Sequence, residues 1–317
     1  MRRRTVPAVS AAVLLLAGVT GCSASGSAAN DCDASFGPGA MSSSVEVTGG
    51  AGEGPRVQVP EGLTAEQSQR SLITDDGADG DRGDARVADD DTLVAVNLAL
   101  FESGTGSELL SSPTWDADRG ASFVLMDPEM ENPLAESLRC AVAGDRVVAA
   151  FNPEDSALLA GQGTIAEGES IVGVIDVVTV DDLVASGKTR NLPSGFPAVV
   201  TDESGRPGVV LPPRPAPDGS RSADRIVGDG PEVEADDAVI AQVLAVGWNG
   251  TVDPQNNSWD TMAGQGGPKP IGTEDDIAAS GATYRAELTG HTVGSQVVIV
   301  EGGENARVVV VDIVSVG

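Results

Sequence analysis

Side chains that commonly serve as nucleophiles, bases or metal ligands are scarce in this chain. His291 is the only histidine, and the three cysteines are Cys22, Cys32 and Cys140. A Ser-His-Asp triad would have to use His291, which stands in a glycine-bounded turn and is better interpreted as a solvent-exposed turn residue. No cysteine pair has zinc spacing, and no glycine-rich loop joins a strand to a helix as phosphate binding requires. We therefore expect no metal and no cofactor.

Aspartate and glycine crowd residues 75–91, a composition that suggests calcium binding. The spacing of oxygen ligands that ends in a glutamate, as in an EF-hand loop, is missing, so we interpret the segment as an acidic surface loop. The whole chain has 48 Asp and Glu against 19 Lys and Arg, for a net charge of -29. An acidic surface argues against nucleic acid and against direct adhesion to anionic lipid.

The N-terminus has the pattern of an export signal. Arginines at positions 2–4 precede an apolar run over residues 11–19, and Gly21 and Cys22 follow. Residues 1–21 resemble a bacterial lipoprotein signal peptide, although Val19 stands where leucine is usual. The resemblance implies lipidation of Cys22, a flexible tether over residues 22–54 and a location on the extracytoplasmic face of the cell membrane. An ordinary secretory signal is the alternative.

Cys32 and Cys140 remain once Cys22 is assigned to lipidation. Because exported proteins fold in an oxidising compartment, two leftover cysteines favour a disulfide between the tether and the first globular unit. Two free thiols are the alternative.

Runs of β-branched residues predict strands over 92–96, 146–150, 171–180, 239–246 and 308–316. Four blocks occur twice in the same order, which indicates a tandem duplication. The matching blocks are residues 87–91 with 233–237, 115–116 with 259–260, 143–148 with 293–298, and 174–177 with 310–313.

The second half resembles the FKBP-type peptidyl-prolyl isomerase family. Four blocks carry the resemblance, namely V-G-D-G at 227–230, W-D at 259–260, T-V-G-S-Q-V at 292–297 and V-V-V-V-D-I at 308–313. It implies an α+β fold of two tandem FKBP-like domains, each a curved antiparallel sheet around a short helix. The predicted boundaries are a degenerate domain over 55–182, a linker over 183–205 and a second domain over 206–317.

The resemblance also implies a substrate pocket. An apolar pocket with aromatic walls lowers the ~18–20 kcal/mol barrier to X-Pro rotation by favouring the twisted amide. Aligned with the family, Tyr284 replaces the tryptophan of the pocket floor, and Ala245 and Val309 replace aromatic residues on strands. Gln255 and Asn256 fall on a loop that carries an aromatic residue and a carboxylate in the family. With aromatic residues at only 3% of the chain, the pocket is eroded.

Two functions follow from these observations. The first is a membrane-anchored FKBP-type peptidyl-prolyl isomerase or folding helper with weak activity, acting on proline-containing peptides or unfolded exported proteins. The alternative is a non-catalytic peptide- or protein-binding lipoprotein that keeps the FKBP fold. A solute-binding lipoprotein is disfavoured because the sequence shows no alternation of strands with long helices.

Overall fold

The structure is a computed structural model, and it describes residues 32–60, 62–73, 85–113, 115, 122–160, 165, 168–259 and 266–317. The predicted signal peptide and Cys22 lie outside these residues, as do Asp116 and Asp260. Within the described ranges, no helix is long and apolar enough to cross a membrane.

The first half of the chain builds a six-stranded antiparallel sheet and a small hairpin. In chain order its elements are α1 (Ala40–Ser44), β1 (Glu46–Thr48), β2 (Arg56–Gln58), β3 (Gln69–Ile73), β4 (Thr92–Glu102), β5 (Glu108–Ser111), β6 (Ser122–Leu125), α2 (Pro133–Leu138), β7 (Arg146–Phe151), α3 (Pro153–Ala160) and β8 (Ile171–Asp182). Strands β1 and β2 pair with each other. The large sheet has the order β3-β7-β8-β4-β5, and β6 also pairs with β4.

The second half repeats this plan. Its elements are β9 (Lys188–Thr189), β10 (Ala198–Thr201), β11 (Pro207–Val210), β12 (Arg221–Val227), β13 (Val239–Gly247), β14 (Val252–Asn257), β15 (Lys269–Gly272), α4 (Ile277–Ser280), a 3₁₀ helix (Thr283–Leu288), β16 (Gln296–Glu301) and β17 (Arg307–Val316). The large sheet runs β14-β13-β17-β16-β12-β9, with β15 beside β13. Strands β12, β16, β17, β13 and β14 therefore follow the same order as β3, β7, β8, β4 and β5.

The predicted fold class was wrong. The protein is mainly β, with four sheets and, within the described ranges, five helices of at most eight residues, so it is not a pair of sheets each built around a helix. The short helix implied for the second half is a 3₁₀ helix of six residues, Thr283–Leu288. The physical reason is length, because so few residues form too few hydrogen-bonded turns to make a helical layer, whereas valine-rich runs extend β4 and β8 to 11 and 12 residues.

Each large sheet is covered on both faces. In the first half, one face packs against α2 through Leu138, and the opposite face packs against α1 and the β1–β2 hairpin through Met41. In the second half, Leu288 of the 3₁₀ helix covers one face, and the β10–β11 hairpin covers the other through Val199. Strands buried on both faces are apolar at nearly every position, which is why β4 and β13 have continuous apolar sequences.

The first strand of each hairpin comes from a segment expected to be a tether or a linker. Within the expected tether 22–54, α1 and β1 lie against the first large sheet. Within the expected linker 183–205, β9 pairs with β12 and β10 pairs with β11. The two halves meet where Leu93 packs with Ile240 and Val314.

A disulfide joins Cys32 to Cys140, with Cα atoms 5.6 Å apart and a sequence separation of 108. Cys140 is buried and follows α2 by two residues. The bond therefore fixes the segment before α1 to the end of α2.

Candidate functional site

The 3₁₀ helix places Tyr284 beneath the second large sheet. Its side chain is 2% exposed and packs in the same core as Ala245 and Val309. Those two residues face each other in the register of β13 and β17. The structure therefore brings together three of the five residues predicted to bind substrate, but it buries them instead of arranging them around an open pocket.

The hydroxyl of Tyr284 lies at the edge of that core. It donates a hydrogen bond to Oδ1 of Asn256 at 3.3 Å, so a fourth predicted residue adjoins the other three. Burial raises the pKa of Tyr284 to about 12, against the opposing effect of the Arg307 charge. The phenol is therefore neutral at physiological pH and acts as a hydrogen-bond donor.

Gln255, the fifth predicted residue, has an exposed side chain. Its backbone N–H donates to Oδ1 of Asp253 at 3.0 Å, and its carbonyl accepts from Nζ of Lys269 at 2.9 Å. The alternation of β14 turns Asn256 towards the core edge and leaves the Gln255 side chain outside.

Arg307 lies over the ring of Tyr284, with its guanidinium carbon 5.8 Å from the ring centroid. It is paired with Glu301, it lies 3.4 Å from Oδ2 of Asp253, and it donates to Oγ1 of Thr283 at 3.0 Å. We call Thr283, Asp253, Glu301 and Arg307 the polar lid. A group of charged and polar side chains thus lies at the edge of the core beside the ring of Tyr284.

The charge of Asp253 is stabilised within this lid. Burial alone would raise the pKa of its carboxyl, but the Asn256 amide, the Gln255 backbone N–H and the Arg307 charge together lower that pKa below its usual value. The Asn256 amide donates to Asp253 at 2.8 Å. The lid therefore combines the carboxyl groups of Asp253 and Glu301 with the guanidinium of Arg307.

Sequence reasoning missed the lid because its members come from four separate elements. Thr283 lies in the 3₁₀ helix, Asp253 in β14, Glu301 in β16 and Arg307 in β17. The short turn over residues 302–306 brings Glu301 opposite Arg307 in the β16–β17 register. That pairing was the one signal available, since a hairpin with a short turn places its flanking residues side by side.

A cleft of about 710 Å³ lies next to the lid. Its walls are the β13–β14 turn with Trp248, the start of β14, and the β16–β17 turn. Arg307 and Asp253 belong to both the lid and the cleft wall.

His291 does not occupy the solvent-exposed position expected for it. Its side chain is 18% exposed, and Nδ1 lies 2.6 Å from Oδ1 of Asp224, which β12 brings to this turn. Within the described ranges no hydroxyl is hydrogen-bonded to the imidazole, so the histidine and aspartate lack the third member of a triad. The same ranges hold no group of three His, Cys, Asp or Glu residues placed to bind a metal.

No protein-family model matches the chain, and no curated protein matches it. Among solved structures, one containing the three FKBP domains of wheat FKBP73 is 13% identical, with a TM-score of 0.32 over 79% of this chain and 94% of that one. The N-terminal domain of FKBP42 from Arabidopsis thaliana is 11% identical, with a TM-score of 0.29 over 42% of this chain and 100% of that one. The values are too low to carry a conclusion about function.

Proposed function

We propose that the protein is an FKBP-related binding lipoprotein that does not catalyse prolyl isomerisation. The observation that carries this proposal is the burial of Tyr284, which is 2% exposed beneath Arg307. An X-Pro bond must enter an apolar pocket before the pocket can favour its twisted form. Here the floor of that pocket is part of the packed core.

Opening the pocket would require Arg307 to leave three partners at once. Its ion pairs with Glu301 and Asp253 are partly buried, where an ion pair is screened less than on an open surface, and its hydrogen bond to Thr283 is exposed. The walls would then be Ala245 and Val309, which offer little aromatic surface to a proline ring. The geometry therefore favours binding on the outer surface over catalysis inside.

The location and the partners are also part of the proposal. Positive charge, an apolar run and the small residues before Cys22 support export and lipid anchoring at the extracytoplasmic face of the membrane. Proline-containing peptides or unfolded exported proteins are the proposed partners. The acidic surface, at a net charge of -29, supports partners other than nucleic acid.

The test is a prolyl-isomerisation assay on the purified chain, with Tyr284→Ala and Arg307→Ala measured beside it. We expect no rate above the uncatalysed background for the wild-type chain. A wild-type rate that Tyr284→Ala abolishes would overturn the proposal and locate catalysis in the second half. Because Tyr284→Ala removes a buried ring, thermal unfolding must show that it is folded. Arg307→Ala keeps the ring and opens the lid, so a rate that appears only in this variant would show that the lid is what blocks the pocket.

A further inference from the structure

A proline-rich segment of the chain, residues 212–217, crosses the end of the second large sheet. We call it the proline strap. The indole Nε1 of Trp248 donates to the carbonyl of Arg214 at 3.0 Å, and the backbone N–H of Gly303 donates to the carbonyl of Pro217 at 3.1 Å. Two turns, β13–β14 and β16–β17, therefore hold the strap by its carbonyl oxygens. Hydrogen bonds to carbonyls beside prolines suit a segment that has few N–H groups of its own.

The approach of the strap is close. A Cβ atom on Gly302 would lie 2.4 Å from the Pro217 carbonyl oxygen, so only glycine allows the strap to lie against this turn. Ala216 of the strap forms one wall of the 710 Å³ cleft, and Trp248 forms part of the same cleft. The strap thus forms one side of the cleft, and the two turns form the other sides.

In the described part of the first half, the corresponding connection is built differently. There the connection between β7 and β8 includes the eight-residue helix α3. The connection ends at Ser170, whose carbonyl accepts a hydrogen bond from the N–H of Ser103 in the β4–β5 turn. In the second half the corresponding connection is only residues 302–306. This short connection forms one wall of the cleft.

The cleft is acidic. Its lining contains Asp253, Glu304 and Arg307, and the charge of Arg307 is already balanced by Glu301 behind it. Glu304 is at the exposed tip of the β16–β17 turn. The negative charge of Asp253 and Glu304 that remains therefore favours a ligand that carries positive charge.

We propose that this cleft binds an extended, proline-containing peptide segment with a basic residue, laid beside the proline strap. Prolines lower the entropy lost on binding because such a segment is already extended, and a tryptophan at the wall offers broad apolar contact. The basic residue of the ligand faces Glu304. The inference rests on the proposed binding function and names its site and ligand class.

The experiment titrates the full chain with a fluorescein-labelled peptide of repeated Pro-Pro-Arg-Pro and follows fluorescence anisotropy. Two further peptides replace every proline by alanine or every arginine by glutamate. We expect saturable binding of the first peptide and much weaker binding of the other two. Glu304→Gln should weaken binding about two- to fivefold, the range of one partly exposed charge contact. Glu203→Gln, on the exposed β10–β11 turn outside the cleft, is the matched control and should leave affinity unchanged.

A second variant, Trp248→Phe, keeps an aromatic ring in the wall and removes the donor to Arg214. We expect it to shift the NMR signals of the strap and to reduce affinity. Equal affinity for the alanine peptide, equal effects of Glu304→Gln and Glu203→Gln, or no binding would each overturn the inference. These outcomes leave the proposed function standing, because only a Tyr284-dependent isomerisation rate overturns that.

Discussion

Each half of the molecule has a buried aspartate at the equivalent position, and the two aspartates have different side-chain partners. Asp176 in β8 is opposite Arg146 in the register, and Asp312 in β17 is opposite Gln296 at the equivalent place. In both halves the carboxylate binds a backbone N–H of the segment that precedes the sheet. Asp176 accepts from Gly52 at 2.8 Å, and Asp312 accepts from Ala185 at 3.0 Å. The two halves share the position of the carboxylate and its bond to a backbone N–H, and they differ in its side-chain partner.

In the first half, the Asp176 carboxylate is paired directly with the buried guanidinium of Arg146. Nε and Nη2 of Arg146 contact the two carboxylate oxygens of Asp176 at 2.5 and 2.7 Å, and the guanidinium also donates to the carbonyls of Gly49, Gly50 and Glu53. Arg146 is 2% exposed. A buried bidentate pair, with all three guanidinium nitrogens hydrogen-bonded, is the arrangement that offsets the cost of removing two charges from water.

In the second half, the carboxylate has an amide for a partner. Nε2 of Gln296 donates to Asp312 at 2.8 Å, and the positive charge is one step away, on Arg225, which donates to Oε1 of Gln296 at 2.7 Å. Burial raises the pKa of Asp312 to about 6, although the Ala185 N–H, Gln296 and Arg225 each lower it. The comparison teaches that the two halves keep the carboxylate at the same register position and differ in where the nearest cation lies, in direct contact with Asp176 but one residue away from Asp312.

The largest effect is expected from Arg146→Met, which breaks the first-half arrangement. It leaves Asp176 buried without its cation and three carbonyls without a donor, so the free energy of unfolding should fall by about 3–5 kcal/mol. Denaturant unfolding measures the loss. The control is Arg139→Met, whose partly exposed pair with Asp90 should be worth no more than about 1 kcal/mol. Equal losses for the two variants would show that the buried network has no special weight.

The next test removes the covalent tie that only the first half has. Replacing Cys32 and Cys140 by serine should lower the free energy of unfolding by about 2–5 kcal/mol, because the 108-residue loop is no longer closed in the unfolded chain. Comparison of thermal midpoints of the wild-type chain with and without reductant provides an independent reading. If both measurements leave the midpoint unchanged, the disulfide contributes nothing to the difference between the halves.

The third test concerns the second-half carboxylate. Because the folded-state pKa of Asp312 is above its unfolded value, the folded state binds the extra proton, and its stabilising effect is fully present below about pH 4 and lost as pH rises through about 6. Relative to Asp312→Asn, the wild-type chain should lose about 3 kcal/mol of unfolding free energy over that window.

Asp202 is the matched control for this pH series. The Ser204 hydroxyl and nearby backbone N–H groups hold the pKa of this exposed carboxyl below its usual value. Relative to Asp202→Asn, the wild-type chain should therefore gain unfolding free energy as pH rises, the opposite of the trend for Asp312. A wild-type chain and an Asp312→Asn variant that differ by a constant amount from pH 4 to 7 would contradict the assignment.

The long strands could be predicted from sequence, and the elements that cover them could not. Runs rich in apolar and β-branched residues identify β8, β13 and β17, because a strand buried on both faces is apolar at most of its positions. The strand β12, Arg221–Val227, is polar and half-buried along its length, so it lacks both alternation and an apolar run. The hairpins have the Gly, Ser and Pro content of linkers, and only their docking on a sheet makes them structured.

For the candidate site, sequence reasoning identified the positions but not their state. Ala245, Val309 and Tyr284 converge as expected, because each follows from strand register or from a helix at a fixed distance before a strand. Whether they line a pocket or fill a core depends on Arg307 and its partners. Two of those partners, Asp253 and Thr283, are distant from Arg307 in sequence, and composition carries no record of these contacts.

The smallest effect is expected from Tyr284→Phe, which makes the second half more like the first. The equivalent helical position in the first half is Leu134, which has no hydroxyl and packs against the first core. The Tyr284 hydroxyl makes one long bond, at 3.3 Å, to half-buried Asn256, which water can satisfy when the hydroxyl is gone. The free energy of unfolding should fall by no more than about 1 kcal/mol. A double-mutant cycle with Asn256→Ala isolates the bond, and a coupling above about 2 kcal/mol would show that the phenol anchors the lid as well as filling the core.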